Sequence, residues 1–326
     1  MQYTKLGKTG IKVSRICLGT MSFGWLLKEK ESKEIIEKAI DLGINFFDTA
    51  NVYGRGKTEE IVGETLRNRR DEVIITTKVF WSFQRPGASG LSRPFVFKEL
   101  EESLQRLQTD YVDLYLIHRF DPSTSIENML RTMNMLIDQG KVLHIGASTM
   151  YAWELMKTIW IAERLGLECF QVMQPHYNLL YREEEREMLP LCKDQKIDVI
   201  PWGPLARGVL AGSYSREEKG LTPRAQKDDD LLQWFTGQTD LDITDRVAEL
   251  AEEKDVSMAQ IALAWMLSKE VITAPIVGVT KMKHLEEAVE AVELKLSEKE
   301  IDYLEELYQP RHLTGHYAGK PVAGDE

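Results

Sequence analysis

Four side chains in the first 120 residues could together move a proton onto a carbonyl oxygen. Asp48 closes "GINFFD", Tyr53 ends "NVY" on the following stretch, Lys78 follows the run "VIITT", and His118 follows "VDLYLI". A free phenol has a pKa of about 10 and donates slowly at neutral pH. An ammonium beside it stabilises the phenolate and lowers that pKa, while a carboxylate anchors the ammonium. An imidazole can hydrogen-bond the carbonyl oxygen and orient it. Gathered at one place, these groups are what reduction of an aldehyde or ketone by an external hydride demands. Singly, each has a plainer explanation: Asp48 could turn a loop, Tyr53 could be a half-buried loop aromatic, and His118 a satisfied strand-end histidine. Lys78 is hardest to explain away, since a cation ending an apolar strand needs a partner when buried, and Asp48 supplies one.

Positioning them requires a regular scaffold. Short β-type runs at 16–19, 44–47, 73–77, 112–117, 143–146, 170–173, 197–201 and 273–276 alternate with helical-period segments. The latter fall at 31–42, 57–67, 94–107, 125–138, 152–164, 183–194, 257–268 and 281–292. Eight strand–helix units in about 250–330 residues is the arithmetic of a single α/β TIM barrel, (β/α)8. The unbroken apolar strands fit a sheet covered on both faces. In that fold polar residues at the carboxyl ends of several strands share one mouth, which would unite the four. A short β-hairpin turning at Gly7–Gly10 precedes the barrel. The Gly/Pro/Asp-rich connection 203–241 is long enough to be expected as a lid or binding loop. The aperiodic tail 310–326 is expected to wrap the surface or fray. No linker or repeat divides residues 1–326, so one domain is expected.

Composition excludes other classes. The 326 residues are 43% hydrophobic, enough for a real core, and 41 basic against 52 acidic residues give a net charge of -11. That excess repels phosphate backbones and anionic lipid, so neither nucleic acid nor membrane is an expected partner. Cys17, Cys169 and Cys192 have no metal-ligand spacing and read as reduced thiols, with no metal site expected. The N-terminus has no signal-type apolar stretch and no span reaches about 18 apolar residues, so a cytoplasmic location is expected. Oligomeric state has no signature here. Gly56-Lys57-Thr58 imitates the end of a P-loop, but Asn51 occupies the position of its first glycine, and Glu59 spoils a dinucleotide fingerprint. The plainer reading is a loop entering a helix with Thr58 as N-cap.

"GINFFDTANVYG", "TTKVF", "LIHRFD", "IGAST", "MQPHYNLL" and "IPWGPLARGVL" resemble, in order, successive motifs of the aldo-keto reductase superfamily. The likeness spans about residues 3–300 and is nearest to bacterial xylulose-reductase-like and potassium-channel-β-subunit-like branches. It implies a barrel binding a nicotinamide cofactor across its carboxyl-end mouth, with Tyr53 as general acid, Lys78 and Asp48 tuning it, and His118 orienting the carbonyl. The implied cofactor site takes Gly19, Thr20, Met21 and Asp48, with Ser148 and Gln174 on the carboxamide. Thr149 stands where many members have Asn, and Trp202 would stack on the nicotinamide. Gly203, Pro204, Leu205, Ala206, Arg207 and Gly208 would hold the pyrophosphate, Gly203 replacing a common Ser. Val277, Gly278, Thr280, Lys281, His284 and Glu287 would hold the adenosine end, with Ala288 where Asn is common and His284 where Arg is frequent. Lys281, beside Lys283 at a helix start, would take the 2′-phosphate, favouring NADPH modestly over NADH because a lysine lacks the guanidinium's bidentate clamp.

Aromatic residues Trp25, Tyr53, Trp81, Phe83, Phe120 and Trp234, with His118, would line an apolar pocket for a small carbonyl substrate, sugars included. Arg119 and Arg85 could receive a sugar phosphate or be solvated. Two other readings stay open: a Schiff-base aldolase through Lys78, against which Asp48 argues by keeping the amine protonated, and a regulatory cofactor-binding subunit with weak catalysis.

Overall fold

The chain opens on β1 (Tyr3–Lys5) and β2 (Lys12–Ser14), an antiparallel pair turning through Gly7 and Gly10. Gly7 takes φ +46°, and a Cβ there would lie 2.2 Å from Asp198 Oδ2, so only glycine fits the turn. The hairpin delivers Leu6 and Val13 into a buried cluster with Cys17, Phe46, Leu114, Leu116, Val172, Ile200, Ala274 and Ile276. It therefore plugs the amino-terminal end of the barrel.

The computed structural model describes residues 1–85, 87–214, 234–235 and 237–313. Its main sheet has eight strands: β3 (Cys17–Gly19), β4 (Phe46–Asp48), β5 (Ile74–Val79), β6 (Val112–Ile117), β7 (Val142–Ser148), β8 (Val172–Gln174), β9 (Asp198–Val199) and β10 (Ile276–Gly278). Neighbours pair in parallel in the order β10-β3-β4-β5-β6-β7-β8-β9, and the bridges Val199↔Ile272 and Trp202↔Ile276 join the two ends into a barrel. Arg15 secures that closure by donating to the carbonyls of Leu267, Ile272 and Thr273. Among the described residues the helices are α1 (Glu29–Asp41), α2 (Lys57–Leu66), α3 (Arg93–Leu107), α4 (Ile126–Asp138), α5 (Ala152–Leu165), α6 (Met188–Gln195), α7 (Gln238–Glu253), α8 (Met258–Leu267), α9 (Met282–Glu290) and α10 (Glu298–Glu305). Among the described residues, no helix is long and apolar enough to cross a membrane.

Period decides the layers. β6 is buried throughout; Leu114 and Leu116 point into the barrel, while Tyr115 and Ile117 face the helices. α4 answers with a stripe of Met129, Leu130, Met133 and Leu136, and starts where Ser125 accepts from the Asn128 N–H.

The main departures from the sequence reading have physical causes. Several strands end later than their apolar runs: Asp48 and Ser148 are the last residues of β4 and β7, Lys78 lies inside β5, and the last strand is Ile276–Gly278. Ladder bonds continue through polar residues whose side chains find partners. Segment 183–194 splits into a 3-10 turn, Glu183–Glu185, and α6, because Glu183 instead accepts from Tyr308 Oη and the Arg311 N–H. Thr58 is not the N-cap of α2; Gly56 is, at φ +88°, and Thr58 is buried and donates to the Phe23 carbonyl. α7 and α10 were not foreseen, although α7 buries Ile243, Val247 and Leu250 at helical spacing and Ser297–Glu300 caps α10. The expected lid and tail fall largely at 215–233 and 314–326, outside the described residues.

α2 packs on α3 through Gly63, where a Cβ would meet the Leu107 backbone at 2.4–2.5 Å. Gly63→Ala should lower the melting temperature, since overpacking by about 1–3 kcal/mol outweighs the roughly 1 kcal/mol that Ala gains in a helix. Urea unfolding measures it; an equal or higher stability would contradict this helix contact.

Candidate active site

Register brings the first pair together. Asp48 on β4 lies opposite Thr76 on β5, so Lys78, two residues on, points to the same interior side one step nearer the mouth. Lys78 Nζ donates to Asp48 Oδ2 at 2.6 Å, to the Thr49 carbonyl at 2.8 Å and to Tyr53 Oη at 3.3 Å. All three of its N–H groups are thereby used. Gln174, from β8 on the opposite side of the barrel, donates Nε2 to the other carboxylate oxygen, Oδ1, at 2.8 Å. Burial raises the Asp48 carboxyl above its ordinary range, and the charge of Lys78 and the bonds from Lys78 and Gln174 oppose that rise without cancelling it. Burial pulls Lys78 down, and Asp48 and Tyr53 together more than offset it, so the ammonium is held charged. A lysine so held is no Schiff-base nucleophile.

Tyr53 lies on a 3-10 turn entering α2, its ring edge-on to His118 at 6.0 Å between centroids. Lys78 donates to its oxygen, which leaves the phenolic proton free for another acceptor. The pull of Lys78 on the phenol has the expected sign, but burial is larger and Asp48 adds to it, so the pKa goes up rather than down. Tyr53 keeps its proton through neutral pH. His118 is pushed well below the usual imidazole range by burial first, then by the charges of Lys78 and Arg119, and is neutral. Its Nδ1 is buried without a hydrogen-bond partner among the described residues. A buried bare N–H costs more than a bare lone pair with nothing to accept, so the proton belongs on Nε2, which makes that nitrogen a donor.

The pocket aromatics divide. Trp81 packs edge-on against His118 at 5.1 Å, joining the Tyr53–His118 group. Phe120 packs instead on Trp153, and Trp234 on Phe235, near His176 and under the Arg207 guanidinium. Trp25 is 52% exposed and stacks on no aromatic ring among the described residues. Phe83 faces the Arg106 guanidinium and the α-carbon of Gly56, away from the site. The GKT stretch is no phosphate cradle, because Lys57 pairs with Glu29 and Glu60.

The residues assigned to a nicotinamide cofactor fit one. Trp202 has one ring face covered by His176, at 4.0 Å and 6°, and His176 is backed by Tyr181 at 4.4 Å. Trp202 Nε1 donates to Thr149 Oγ1 at 3.0 Å, fixing the indole plane. Ser148 Oγ donates to the Gln174 carbonyl at 2.9 Å, and Gln174 Oε1 makes no hydrogen bond among the described residues, so it can accept from an amide. Beyond Trp202 the backbone is left-handed at Gly203, Ala206, Arg207 and Gly208, with φ +69°, +46°, +57° and +106°. Such bends can gather N–H groups around an anion, and the two non-glycine residues are strained. A Cβ on Gly203 would come within 3.2 Å of the His176 ring, which explains why glycine stands there. Pro204 and Ala206 are buried and Leu205 half-buried.

Other assigned residues are spoken for differently. Thr20 Oγ1 donates to the Asp48 carbonyl, Gly19 closely abuts Ile276, and Met21 is exposed. Val277 is buried and Gly278 exposed at the end of β10. Lys281 is the exposed N-cap residue of α9 and has no ion pair among the described residues, whereas Lys283 reaches Glu287 at 3.4 Å. His284 stands by Thr280 Oγ1, and burial lowers its pKa, so it adds no charge at neutral pH. Ala288 is buried. Sequence reasoning missed His176 and Asn178, whose Nδ2 donates to the Gly203 carbonyl at 2.9 Å. Both stand in "PHYN" just beyond β8, where the strand-end rule would have found them.

His118 couples the site to stability. The unfolded chain takes up a proton near pH 6.5 and the folded site does not, so stability falls with pH below that value. Between pH 7 and 5 the protein should lose more stability than His118→Gln, by up to about 1.4 kcal/mol per pH unit. Parallel urea-denaturation curves for the two would mean an ordinary, solvated imidazole.

Comparison with known proteins agrees with the barrel. The model of the aldo/keto reductase family matches residues 15–309. The chain is 40% identical to versiconal hemiacetal acetate reductase of Aspergillus parasiticus, covering 96% of this chain and 98% of that one. It is 37% identical to an aldo-keto reductase of Fusarium vanettenii, over 97% and 93% of the two chains. It is likewise 37% identical to an uncharacterized oxidoreductase of Bacillus subtilis, over 94% and 96%. The chain belongs to the aldo/keto reductase family and is an oxidoreductase acting on carbonyl and alcohol groups.

Proposed function

We propose that the protein reduces small aldehydes and ketones, sugar-derived carbonyls among them, to alcohols with NADPH, and that Tyr53 is the general acid. One observation carries the reading: a buried, fully bonded ammonium, Lys78, touches both Asp48 and the Tyr53 oxygen beside a neutral His118. The dihydronicotinamide, when bound, supplies the hydride. His118 Nε2–H donates to the substrate oxygen and holds the carbonyl in place. Tyr53 gives its proton to that oxygen as negative charge develops there. The phenolate left behind is stabilised by Lys78, which Asp48 and the Thr49 carbonyl keep from moving. Trp81, packed edge-on against His118, would help exclude water.

Ser148, Thr149 and Gln174 would hold the carboxamide, Trp202 the ring face, Gly203 to Gly208 the pyrophosphate, and Lys281 the 2′-phosphate. The whole chain would work as one barrel in the cytoplasm, with small molecules rather than nucleic acid or membrane as partners. NADH would serve as a weaker alternative, because Lys281 alone supplies free charge at the start of α9.

Tyr53→Phe should lower kcat by about 100- to 10,000-fold and change NADPH affinity, read by quenching of tryptophan fluorescence, less than twofold. Normal turnover with an aldehyde panel would reject Tyr53 as the acid. Lys281→Ala should raise the KM for NADPH by about 3- to 10-fold and leave that for NADH nearly unchanged. Equal losses with both cofactors would place the 2′-phosphate elsewhere.

A further inference from the structure

The arginines near the mouth differ in how their charge is met. Arg85 pairs with Glu99 and Glu102, and Arg106 pairs with Glu59. Arg119 makes a single hydrogen bond, from Nη1 to the carbonyl of its neighbour His118 at 2.6 Å, and has no carboxylate partner among the described residues. Its guanidinium is half-buried over the Trp81 ring at 5.3 Å, the same ring that packs edge-on against His118. An acid does lie two residues on, but Asp121 is spent on the Leu91 and Ser123 N–H groups and on the Ser123 and Thr124 hydroxyls. Burial lowers Arg119 to about 10, which leaves it a cation at neutral pH.

A desolvated cation without a counter-charge is costly, and at a site mouth the missing partner is one that comes and goes. The guanidinium has N–H donors to spare in a planar fork that matches carboxylate or phosphate oxygens in pairs. The chain's net charge of -11 would otherwise repel such a ligand, so an unmet guanidinium against Trp81 is a discriminating feature. We infer that the carbonyl substrate carries an oxyanion, a carboxylate or a phosphate, which Arg119 seats while His118 holds the carbonyl. The inference names the substrate class of the reaction proposed above and rests on that reading. Arg85, with its two glutamates, is excluded from this role.

Two matched pairs test it: 4-carboxybenzaldehyde against its methyl ester, and glyceraldehyde 3-phosphate against glyceraldehyde. The intact protein should favour the anionic member of at least one pair in kcat/KM. Arg119→Met should shrink that preference by about 10- to 100-fold, and Arg119→Lys should restore part of it. The pair with the larger collapse tells carboxylate from phosphate. No preference in the intact protein, or equal falls for charged and neutral members in Arg119→Met, would overturn the inference and leave Arg119 as support for Tyr53 and His118. Calorimetric binding of 4-(hydroxymethyl)benzoate and of inorganic phosphate is read separately and needs no turnover. At least one should weaken tenfold or more in Arg119→Met, and unchanged binding of both overturns the anion seat. Failure to reduce any aldehyde, with that weakening intact, would instead reject the proposed reaction.

Discussion

A fully buried ammonium bonded to a fully buried carboxylate is the constraint around which the mouth of this barrel is arranged. Removing both charges from water costs several kcal/mol per ion, and their attraction repays it only if every donor and acceptor is met. The site meets them with groups from three places: the Thr49 carbonyl and the Tyr53 oxygen for Lys78, and the Gln174 amide for Asp48. The last bond crosses the barrel from β8 to β4, so it requires a closed sheet. Replacing a buried ion pair by an apolar pair is often neutral or stabilising, so these charges are better explained by chemistry than by stability.

The two ends of the barrel divide the work. At the amino-terminal end the hairpin seals an apolar interior, and Arg15 ties the closing segment to it. At the carboxyl-terminal end the interior turns polar. There the backbone also departs from relaxed geometry, with Thr149 at φ +44° and Ala206 and Arg207 left-handed. A β-branched residue in that region is strained, and Thr149 is held by the bond its hydroxyl accepts from Trp202.

Asp48, Lys78 and His118 were legible in the sequence for one reason: each breaks or ends an apolar run, and barrel topology converts that position into a shared mouth. Helices with apolar stripes, such as α1 and α4, were legible to within about two residues at their ends. α7 was hidden because it starts inside an Asp- and Gly-rich connection. The aromatic pocket was only partly legible, since loop path decides where a ring points: Trp81 turns to His118, whereas Phe83 turns to Arg106 and Phe120 to Trp153. The direction of the Tyr53 shift was misread for a related reason. Residue types gave the sign of the Lys78 contribution, but only the packed structure gives the larger burial cost.

The most direct test of the central pair is a double-mutant cycle on Lys78 and Asp48, read by urea unfolding and by turnover of one aldehyde. Lys78→Met and Asp48→Asn each leave a buried partner unmet and should destabilise by about 3–5 kcal/mol. The double variant should be more stable than either single variant yet equally inactive, because removing both charges ends the desolvation cost without restoring the proton donor's support. Additive losses of stability, or turnover surviving in the double variant, would contradict a buried ion pair that serves Tyr53.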